Sequence, residues 1–442
     1  MTATKTERLG PSYFKLFGAS TISNLGDGIG VVAYPWLASA LTRNPLLIAL
    51  VVVVQRLPWL LFSLPAGAVT DRYDRRLLMI GANAARTVVT LFVAFALLAG
   101  GSGLPGPDQV DDAAAVVETN AGLYLVLLVA TMLLGTAEVL YDNTAQTFMP
   151  AIVSETQLEK ANGRLWATEE VANNFAGPVL GALLLTVSFS LPFFVDAMTF
   201  ALSAVLISLI PLASIRERPA SSSTSGSSLR DEVKEGFRWL WGHDLLRPLA
   251  IILGLLNMSA TIGLAAFVLY AQEVLETSPT EFALLNTGAV IGGIVGGWTS
   301  SWVSERLGPG PSLWFTLISG GIVSIILGLT SSWPLALVLF GIFRLGATLW
   351  NVITVSLRQS IIPDELLGRV NSVYRFFAWG SIPLGALVGG LIVAVAEGPF
   401  GRNTALRLPW IVGGVAQLLL VLLAASRLTT AKIEAARSQE GV

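Results

Sequence analysis

Residues 46–70 read LLIALVVVVQRLPWLLFSLPAGAVT, and the six residues that follow, 71–76, read DRYDRR. The first stretch carries one charged side chain, Arg56, whereas five of the next six residues are charged. About 20 apolar residues in an α-helix cross the roughly 30 Å hydrocarbon core of a bilayer. The two stretches therefore predict a membrane-spanning helix that ends in a charged turn at the bilayer surface.

Other stretches along the chain have the same apolar character. Hydrophobic residues make up 53 % of the 442 residues and charged residues 13 %, about half the charged share of a soluble globular protein. So few charges cannot cover a water-facing surface, and continuous apolar runs favour α-helices over barrel strands. We therefore predict an all-α integral membrane protein with twelve transmembrane helices. The predicted spans are residues 13–41, 46–70, 77–99, 121–147, 163–187, 191–212, 246–271, 281–303, 312–330, 334–358, 371–396 and 406–427.

The positions of lysine and arginine predict the orientation, because cytoplasmic loops of membrane proteins are enriched in both. With the N-terminus inside, most of the 27 lysine and arginine residues fall in cytoplasmic segments. The outer loops then hold Arg43, Arg402 and Arg407. An even number of crossings puts both termini in the cytoplasm, and we expect a multi-pass protein of the plasma membrane.

The longest polar stretch, 213–245, separates the first six spans from the last six. Its serine-rich start is typical of a flexible linker, and residues 229–241 have the pattern of an amphipathic helix on the inner leaflet. We predict a six-helix bundle at 1–212, a cytoplasmic linker at 213–245, and a second six-helix bundle with a cytoplasmic tail at 246–442. A weak internal repeat, in which spans 4 and 10 end in proline and spans 5 and 11 carry small residues, indicates two pseudo-symmetric halves. Duplicated halves of this kind usually place a substrate site between them near the bilayer midplane.

The residue counts exclude several classes of site. The chain has no cysteine, so it forms no disulfide, thiolate metal site or thiol nucleophile. Its single histidine, His243, falls in a charged segment outside the spans. No Gly-Lys-Ser/Thr phosphate loop and no polybasic tract occur, which excludes an ATP-driven pump on this chain and a nucleic-acid partner. We expect no metal and no cofactor, and a monomer in the bilayer.

The turn between spans 2 and 3 carries a candidate conformational latch, formed by Gly67, Asp71, Arg72, Arg75 and Arg76. Glycine permits close helix approach, aspartate can accept from a helix N-terminus, and arginine can hold carboxylates or lipid phosphate. The alternative is a set of positive residues that only obeys the orientation rule. This turn resembles the loop signature of the major facilitator superfamily, which is a glycine, three residues, Asp-Arg and then a double arginine. That superfamily has a degenerate second copy of the signature, and Ser304-Glu305-Arg306 is similar to it. The resemblance implies a transporter fold of twelve helices that works by alternating access.

Two further motifs resemble exporters of that superfamily. The stretch Gly177-Pro178-Val179-Leu180-Gly181 in span 5 is similar to the antiporter motif of proton-coupled exporters, although Asn173 and Ala182 stand where that motif commonly has glycine. The stretch Asn24-Leu25-Gly26-Asp27 in span 1, together with Pro35-Trp36, is similar to the start of proteins in the branch that holds macrolide-efflux, multidrug and enterobactin exporters. The resemblance covers the whole chain and implies export without specifying the substrate.

Carboxylates within the spans are candidates for proton coupling. An ionised group at the bilayer centre costs about 2.5–3.5 kcal/mol on insertion scales, so it normally has a partner or a task. Asp27 lies in the middle of span 1, while Glu138 and Asp142, four residues apart, share one face of span 4. Repulsion between them in a closed cavity would favour the protonated form of one, although Asp142 could instead cap or pair near the inner interface. The other acidic residues in the spans are Glu169, Glu170 and Asp196.

Four arginines lie within the spans and are the natural counter-ions of these acids: Arg56, Arg86, Arg344 and Arg375. We expect that Arg344 in span 10 could pair with Glu138 across the cavity, because the repeat relates its position to the polar part of span 4. For Arg86 and Arg375 we favour a structural tie or a side chain that reaches the bilayer surface. Drug antiporters of the superfamily that the chain resembles commonly carry an arginine in span 4, and this sequence has none there.

Aromatic side chains within the spans indicate the character of the substrate. Spans 1, 4, 7 and 10 are those expected to line the central cavity in the superfamily that the chain resembles. The cavity candidates in them are Trp36, Tyr141, Phe267, Arg344, Trp350 and Asn351. An apolar, aromatic cavity suits amphiphilic organic molecules better than sugars, although contact with lipid or a neighbouring helix is the alternative for each aromatic residue.

The predicted function is that of a secondary exporter, in which proton entry drives small amphiphilic organic molecules such as drugs, antibiotics or siderophores out of the cell. Its partners are then the substrate, protons and the lipid bilayer. A proton-coupled importer and a dedicated metabolite or lipid carrier of the same fold are alternatives. A membrane-embedded enzyme is disfavoured: Tyr141-Asp142 matches one half of an aspartyl protease signature, but the other half is missing, and no Gly-x-Ser-x-Gly turn occurs.

Overall fold

The computed structural model describes residues 9–107, 109–110, 119–154, 157–211, 229–425 and 427–439. These residues form α-helices and their connections, and no β-strand occurs among them. In chain order the helices are α1 (Pro11–Leu41), α2 (Pro45–Arg72), α3 (Arg75–Gly100), α4 (Ala121–Ile152), α5 (Leu158–Val171), α6 (Gly177–Leu185), α7 (Ser190–Ser208), α8 (Leu229–Gly242), α9 (Leu246–Leu264), α10 (Phe267–Glu273), α11 (Pro279–Leu307), α12 (Pro309–Leu329), α13 (Trp333–Ile361), α14 (Asp364–Phe400), α15 (Arg402–Ala425) and α16 (Thr430–Gln439).

Helices occupy all twelve predicted spans. Among the described residues, ten helical segments are long and apolar enough to cross a bilayer. The two remaining predicted spans are α1, which carries polar residues through its middle, and the fifth span, which is divided into the short helices α5 and α6. The prediction of an all-α membrane protein is confirmed, and the two exceptions are the spans that contain polar motifs.

The fifth span is interrupted by a π-helical turn, Ala172–Ala176, which connects α5 to α6. The Gly177 amide donates to the carbonyl of Ala172, five residues back. Pro178 lies in the first turn of α6 and has no amide hydrogen with which to continue the hydrogen bonds of α5. Such turns are frequent at functional sites, and this one lies where the antiporter-like motif begins.

The chain divides into two compact units. Unit 1 comprises residues 1–41 and 57–222, and unit 2 comprises residues 42–56 and 223–442. The start of α2 therefore groups with the second half of the chain by its contacts, although it precedes the linker in sequence.

Both units repeat one pattern of helix pairing. In unit 1, α7 packs on α3 and α1, α3 packs on α4, and α1 packs on α6. In unit 2, the helices six spans later do the same: α15 packs on α12 and α9, α12 packs on α13, and α9 packs on α14. The sequence similarity of the halves is weak, yet their helices pair in the same order. The predicted pseudo-symmetric duplication is therefore confirmed.

The helix predicted at residues 229–241 is present as α8, within unit 2. Leu240 is 1 % exposed and belongs to the core of this unit. A Cβ atom at Gly236 would lie 2.6 Å from the Arg369 carbonyl oxygen, so α8 packs closely on α14. Phe237 and Trp241 stack with ring centroids 5.2 Å apart and remain exposed. An apolar outer face of this kind fits the predicted position on the inner leaflet.

An ion-pair network in unit 2 joins the α1–α2 connection to α10 and α15. Glu273 pairs with Arg43, whose side chain is 7 % exposed, and with Arg402, whose Nε lies 2.7 Å from the carboxylate. Arg43 also donates to the side-chain oxygen of Gln272 at 2.7 Å, and Arg402 donates to the Arg43 carbonyl at 2.9 Å. Glu273 therefore pairs with two arginines, of which Arg43 is buried. Arg402 is 28 % exposed and also pairs with Glu397 at 3.1 Å.

We expect Glu273→Gln to lower the free energy of unfolding by about 2 kcal/mol, because it removes the negative charge that Arg43 and Arg402 share while keeping the shape of the side chain. Thermal unfolding in detergent measures the effect. Glu276→Gln is the matched control, since Glu276 is exposed and lies three residues away. Equal melting temperatures for the two variants would show that the network contributes nothing to stability.

Candidate functional site

The acidic residues in the middle of spans come from unit 1. They are Asp27 of α1, Glu138 and Asp142 of α4, Glu169 and Glu170 of α5, and Asp196 of α7. In the described spans of unit 2, the acidic residues lie at helix ends instead. Any chemistry that requires an acid within the membrane is therefore expected in unit 1.

Asp27 is held by an ion pair with Arg86 of α3. The side chain of Arg86 is 2 % exposed, whereas that of Asp27 is 25 % exposed. Arg86 is therefore the counter-ion of Asp27, and of the two roles that the sequence favoured for it, its burial fits a structural tie and not a side chain that reaches the bilayer surface. A buried guanidinium stays protonated, so a proton arriving at this pair can bind only to the carboxylate.

Further contacts fix the orientation of Arg86. Its Nη1 donates to the Ser23 hydroxyl at 3.1 Å, one turn before Asp27 on α1. Asn83, one turn before Arg86 on α3, donates to the Ser203 hydroxyl of α7 at 2.8 Å. The guanidinium carbon lies 3.8 Å from the centre of the Phe200 ring, a cation–π contact. Three helices, α1, α3 and α7, thus surround one positive charge.

The charges around Arg86 do not balance. Asp27, Glu138, Asp142 and Asp196 all interact electrostatically with this one guanidinium. Glu138 and Asp142 are partly exposed on α4, and their charges also act on each other. Glu169 instead accepts a hydrogen bond from Ser20 of α1 at 2.7 Å. Because a single guanidinium interacts with several acids, the cluster is net negative when all of these acids are ionised.

The glycines of the antiporter-like motif lie against α1 next to Asp27. A Cβ atom at Gly177 would lie 2.5 Å from the Cα of Gly28 and 2.7 Å from the carbonyl oxygen of Ala172. A Cβ atom at Gly181 would lie 2.7 Å from the carbonyl oxygen of Ile29. The motif therefore brings α6 into backbone contact with the residues that follow Asp27, and Pro178 between the two glycines is buried as well.

Arginines of the predicted latch bind helix ends within unit 1. Arg75 donates to the Thr147 carbonyl of α4 at 3.3 Å, and Arg76 donates to the carbonyls of Ile207, at 3.2 Å, and Ser208 at the end of α7. Cations at helix C-termini are stabilised by the helix dipole. Arg72 is exposed, whereas the surroundings of Gly67 and of the Asp71 side chain are outside what the structure describes. A latching role stays a prediction. The described contacts join helices of unit 1 to one another and stabilise that unit.

The two cavity candidates of unit 1 are tightly packed. Trp36 is 1 % exposed, and its indole nitrogen donates to the Pro107 carbonyl at 2.7 Å. Tyr141 is 2 % exposed and belongs to a hydrophobic core cluster with Phe148 and Met149. These positions favour packing over substrate contact for both side chains.

The four candidates of unit 2 differ in their surroundings. Trp350 is 1 % exposed and belongs to the core of the unit, while Phe267 packs in an aromatic cluster with Phe282, Phe340 and Trp410. Arg344 and Asn351 on α13 are exposed, and no ion pair to Arg344 is present among the described residues. Of the six candidates, these two polar side chains are the most accessible, and a role in substrate contact stays a prediction.

Sequence reasoning gave Asp196 no specific role and no partner. Its surroundings come from α1 and α3, which are distant in sequence, so no local spacing could have identified it. One signal was available: an acid in a span is costly to bury and therefore calls for an explanation. No group of three or more metal-ligating side chains is arranged to hold a metal ion in the described part of the chain.

Comparisons with known proteins relate most of the chain to one family. A sequence model of the Major Facilitator Superfamily matches residues 16–386. The chain is 27 % identical to the multidrug efflux pump Tap of Mycolicibacterium fortuitum, over 94 % of this chain and 97 % of that protein. It is 24 % identical to the enterobactin exporter EntS of Shigella boydii, over 86 % of this chain and 85 % of that protein.

Solved structures support the same fold. A bacterial homologue of the iron transporter ferroportin, in an inward-facing state, matches with a TM-score of 0.70 at 16 % identity, covering 96 % of this chain and all of that one. The nucleoside transporter NupG matches with a TM-score of 0.68 at 10 % identity, covering 95 % of this chain and 99 % of that one.

Proposed function

Because the chain belongs to the major facilitator superfamily and is a membrane transporter, we propose that it is a proton-coupled exporter of small amphiphilic organic molecules. Two relatives that match most of its length are named as efflux or export proteins, which supports the outward direction. In this proposal both termini lie in the cytoplasm, and the protein works by alternating access, exposing its substrate site in turn to the two sides of the membrane.

The observation that carries the proton step is the ion pair between Asp27 and Arg86. Asp27 keeps a quarter of its side chain exposed, which gives a proton access to the carboxylate. Protonation removes the anion and leaves Arg86 with a buried positive charge that needs another partner. The protonation state of Asp27 therefore changes which arrangement of α1 and α3 has the lower free energy, and this link is what coupling requires.

The substrate class is inferred from the apolar character of the spans and from these two relatives. Aromatic and aliphatic side chains dominate the described spans, and fixed charges are few. A substrate site formed by such spans favours molecules with a large apolar surface, and the acids near Arg86 tolerate a positive charge on them. A moderately apolar dye with one positive charge, such as ethidium, is therefore a suitable probe.

We expect the protein in proteoliposomes to move ethidium against its gradient when protons flow in the opposite direction. Asp27→Asn should lower this accumulation at least about tenfold, because the amide cannot bind and release a proton in the working range. The same variant should still exchange ethidium for ethidium without a pH gradient, since exchange needs no net proton movement. Ethidium fluorescence and an entrapped pH indicator measure both fluxes.

Glu434→Gln is the matched control, because it removes an exposed acid on α16, outside the spans. Accumulation of ethidium that is the same with and without a pH gradient would refute proton coupling. Ethidium movement in the same direction as the protons would indicate an importer, and uridine transport without ethidium transport would indicate a dedicated carrier; either result would overturn the proposal.

A further inference from the structure

Asp196 of α7 is a buried acid that the Asp27–Arg86 ion pair does not use. Its side chain is 3 % exposed, and its Oδ1 has no hydrogen-bond partner among the described residues. The hydroxyl of Thr199 lies close by but donates to the backbone carbonyl of Asp196 at 2.7 Å. A buried, ionised carboxylate oxygen without a donor is unfavourable, so the neutral, protonated carboxyl is the form that suits this site.

Asp196 lies next to the ion pair. A Cβ atom at Gly26, the residue before Asp27, would collide with Oδ1 of Asp196 and with the Thr199 hydroxyl. α1 can therefore approach α7 this closely only because position 26 has no side chain. Phe200, one turn after Asp196 on the same face of α7, lies under the guanidinium of Arg86.

Arg86 has a hydrogen-bond donor that is not used in the structure. Its Nε is buried and has no hydrogen-bond partner in the part of the chain that the structure describes. The titratable and charged groups that act on Asp196 are Asp27 and Tyr34 from α1 and Arg86 from α3, while α6 carries none. Asp27 and Asp196 are thus two of the acids that interact electrostatically with one guanidinium, and that guanidinium has an unused donor.

We propose that Asp27 and Asp196 share one proton and that Arg86 exchanges partners between them. In the structure described, Asp27 is ionised and paired with Arg86, and the proton is on Asp196. When the O–H bond of Asp196 breaks and an O–H bond forms on Asp27, Arg86 turns to the newly ionised Asp196. The cluster then keeps its total charge, and no buried ion is left without a partner.

The two acids have different tasks in this exchange. Asp27 is partly exposed and exchanges protons with water. Asp196 is buried: it carries the proton when Asp27 is ionised, and it is ionised and pairs with Arg86 when Asp27 is neutral. This division of roles in transport rests on the proposed proton-coupled function. The proton on Asp196 and its dependence on Asp27 can be measured without any transport.

Infrared difference spectroscopy of the purified full-length protein provides that measurement, because protonated carboxyl groups have their own carbonyl stretching band. We expect the wild type at neutral pH to show a band from buried, protonated carboxyl groups. In Asp196→Asn the intensity of this band should fall by the amount that one carboxyl group contributes. Asp27→Asn should show the same fall although Asp196 is intact, because Arg86 then pairs with Asp196 and ionises it. Glu434→Gln should leave the band unchanged.

The response of Asp27→Asn decides the proposal, since a purely structural Asp196 would keep its proton in that variant. A band of full amplitude in Asp27→Asn, or no change in Asp196→Asn, would overturn it. Asp196→Asn matches the neutral acid in shape, so folding should be retained, and melting temperatures check this. Proton-independent transport with the expected infrared result would refute only the proposed function; coupled transport without that result would refute only the shared proton.

Discussion

Replacing Arg86 with methionine is expected to destabilise the protein more than any other charge-removing change in unit 1. The substitution keeps most of the apolar stem but removes the guanidinium, which lies over Phe200 and interacts with Asp27 and Asp196. Breaking a buried ion pair by removing one partner typically costs about 3–5 kcal/mol. We expect a loss of that size, together with loss of ethidium accumulation in proteoliposomes.

The pH dependence of this loss identifies its cause. In Arg86→Met the acids of the cluster can become neutral only by binding protons, so its folded state gains stability as the pH falls. The gap in melting temperature between the variant and the wild type should therefore be narrower at mildly acidic than at mildly alkaline pH. Arg375→Met is the matched control, because Arg375 is an exposed arginine in a span. A gap that does not change with pH would mean that packing, and not charge, explains the effect.

Replacing Gly177 with valine is expected to separate α6 from α1. Even the Cβ atom of the new side chain would lie 2.5 Å from the Cα of Gly28. Because Gly28 and Gly177 both lie within helices, their backbone atoms cannot shift locally to relieve the clash. Overpacking of this kind usually costs about 1–3 kcal/mol, and a branched side chain against backbone should cost more than about 3 kcal/mol. Because Gly28 follows Asp27, the displacement should also reach the ion pair and stop transport.

A graded series tests this prediction. Gly177→Ala should be intermediate in melting temperature and in transport, and Gly163→Val should resemble the wild type. Gly163 is the matched control because nothing lies within 4 Å of a Cβ atom at this position. If Gly177→Val melts together with Gly163→Val, the close contact between α1 and α6 does not exist in the folded protein.

The number, order and helical character of the spans could be predicted from the sequence. Each span is a local run of apolar residues, and the free energy of placing such a run in a bilayer depends on its own composition. The weak repeat likewise indicated two related halves, which the matching helix pairs of units 1 and 2 confirm. The π turn before Gly177 was less evident, because a missing amide hydrogen at Pro178 is compatible with a kink, a break or a widened turn.

The partners of the buried charges could not be predicted in the same way. The sequence identified Asp27 as an acid in need of a partner and offered four arginines for it, but the choice of Arg86 depends on how α1, α3 and α7 pack. Asp196 became significant only when the absence of a side chain at Gly26 was seen to bring it beside Asp27. Composition along one helix thus determined what crosses the membrane, whereas the distances between helices decided which charges neutralise each other, because electrostatic energy depends on separation in space and not along the chain.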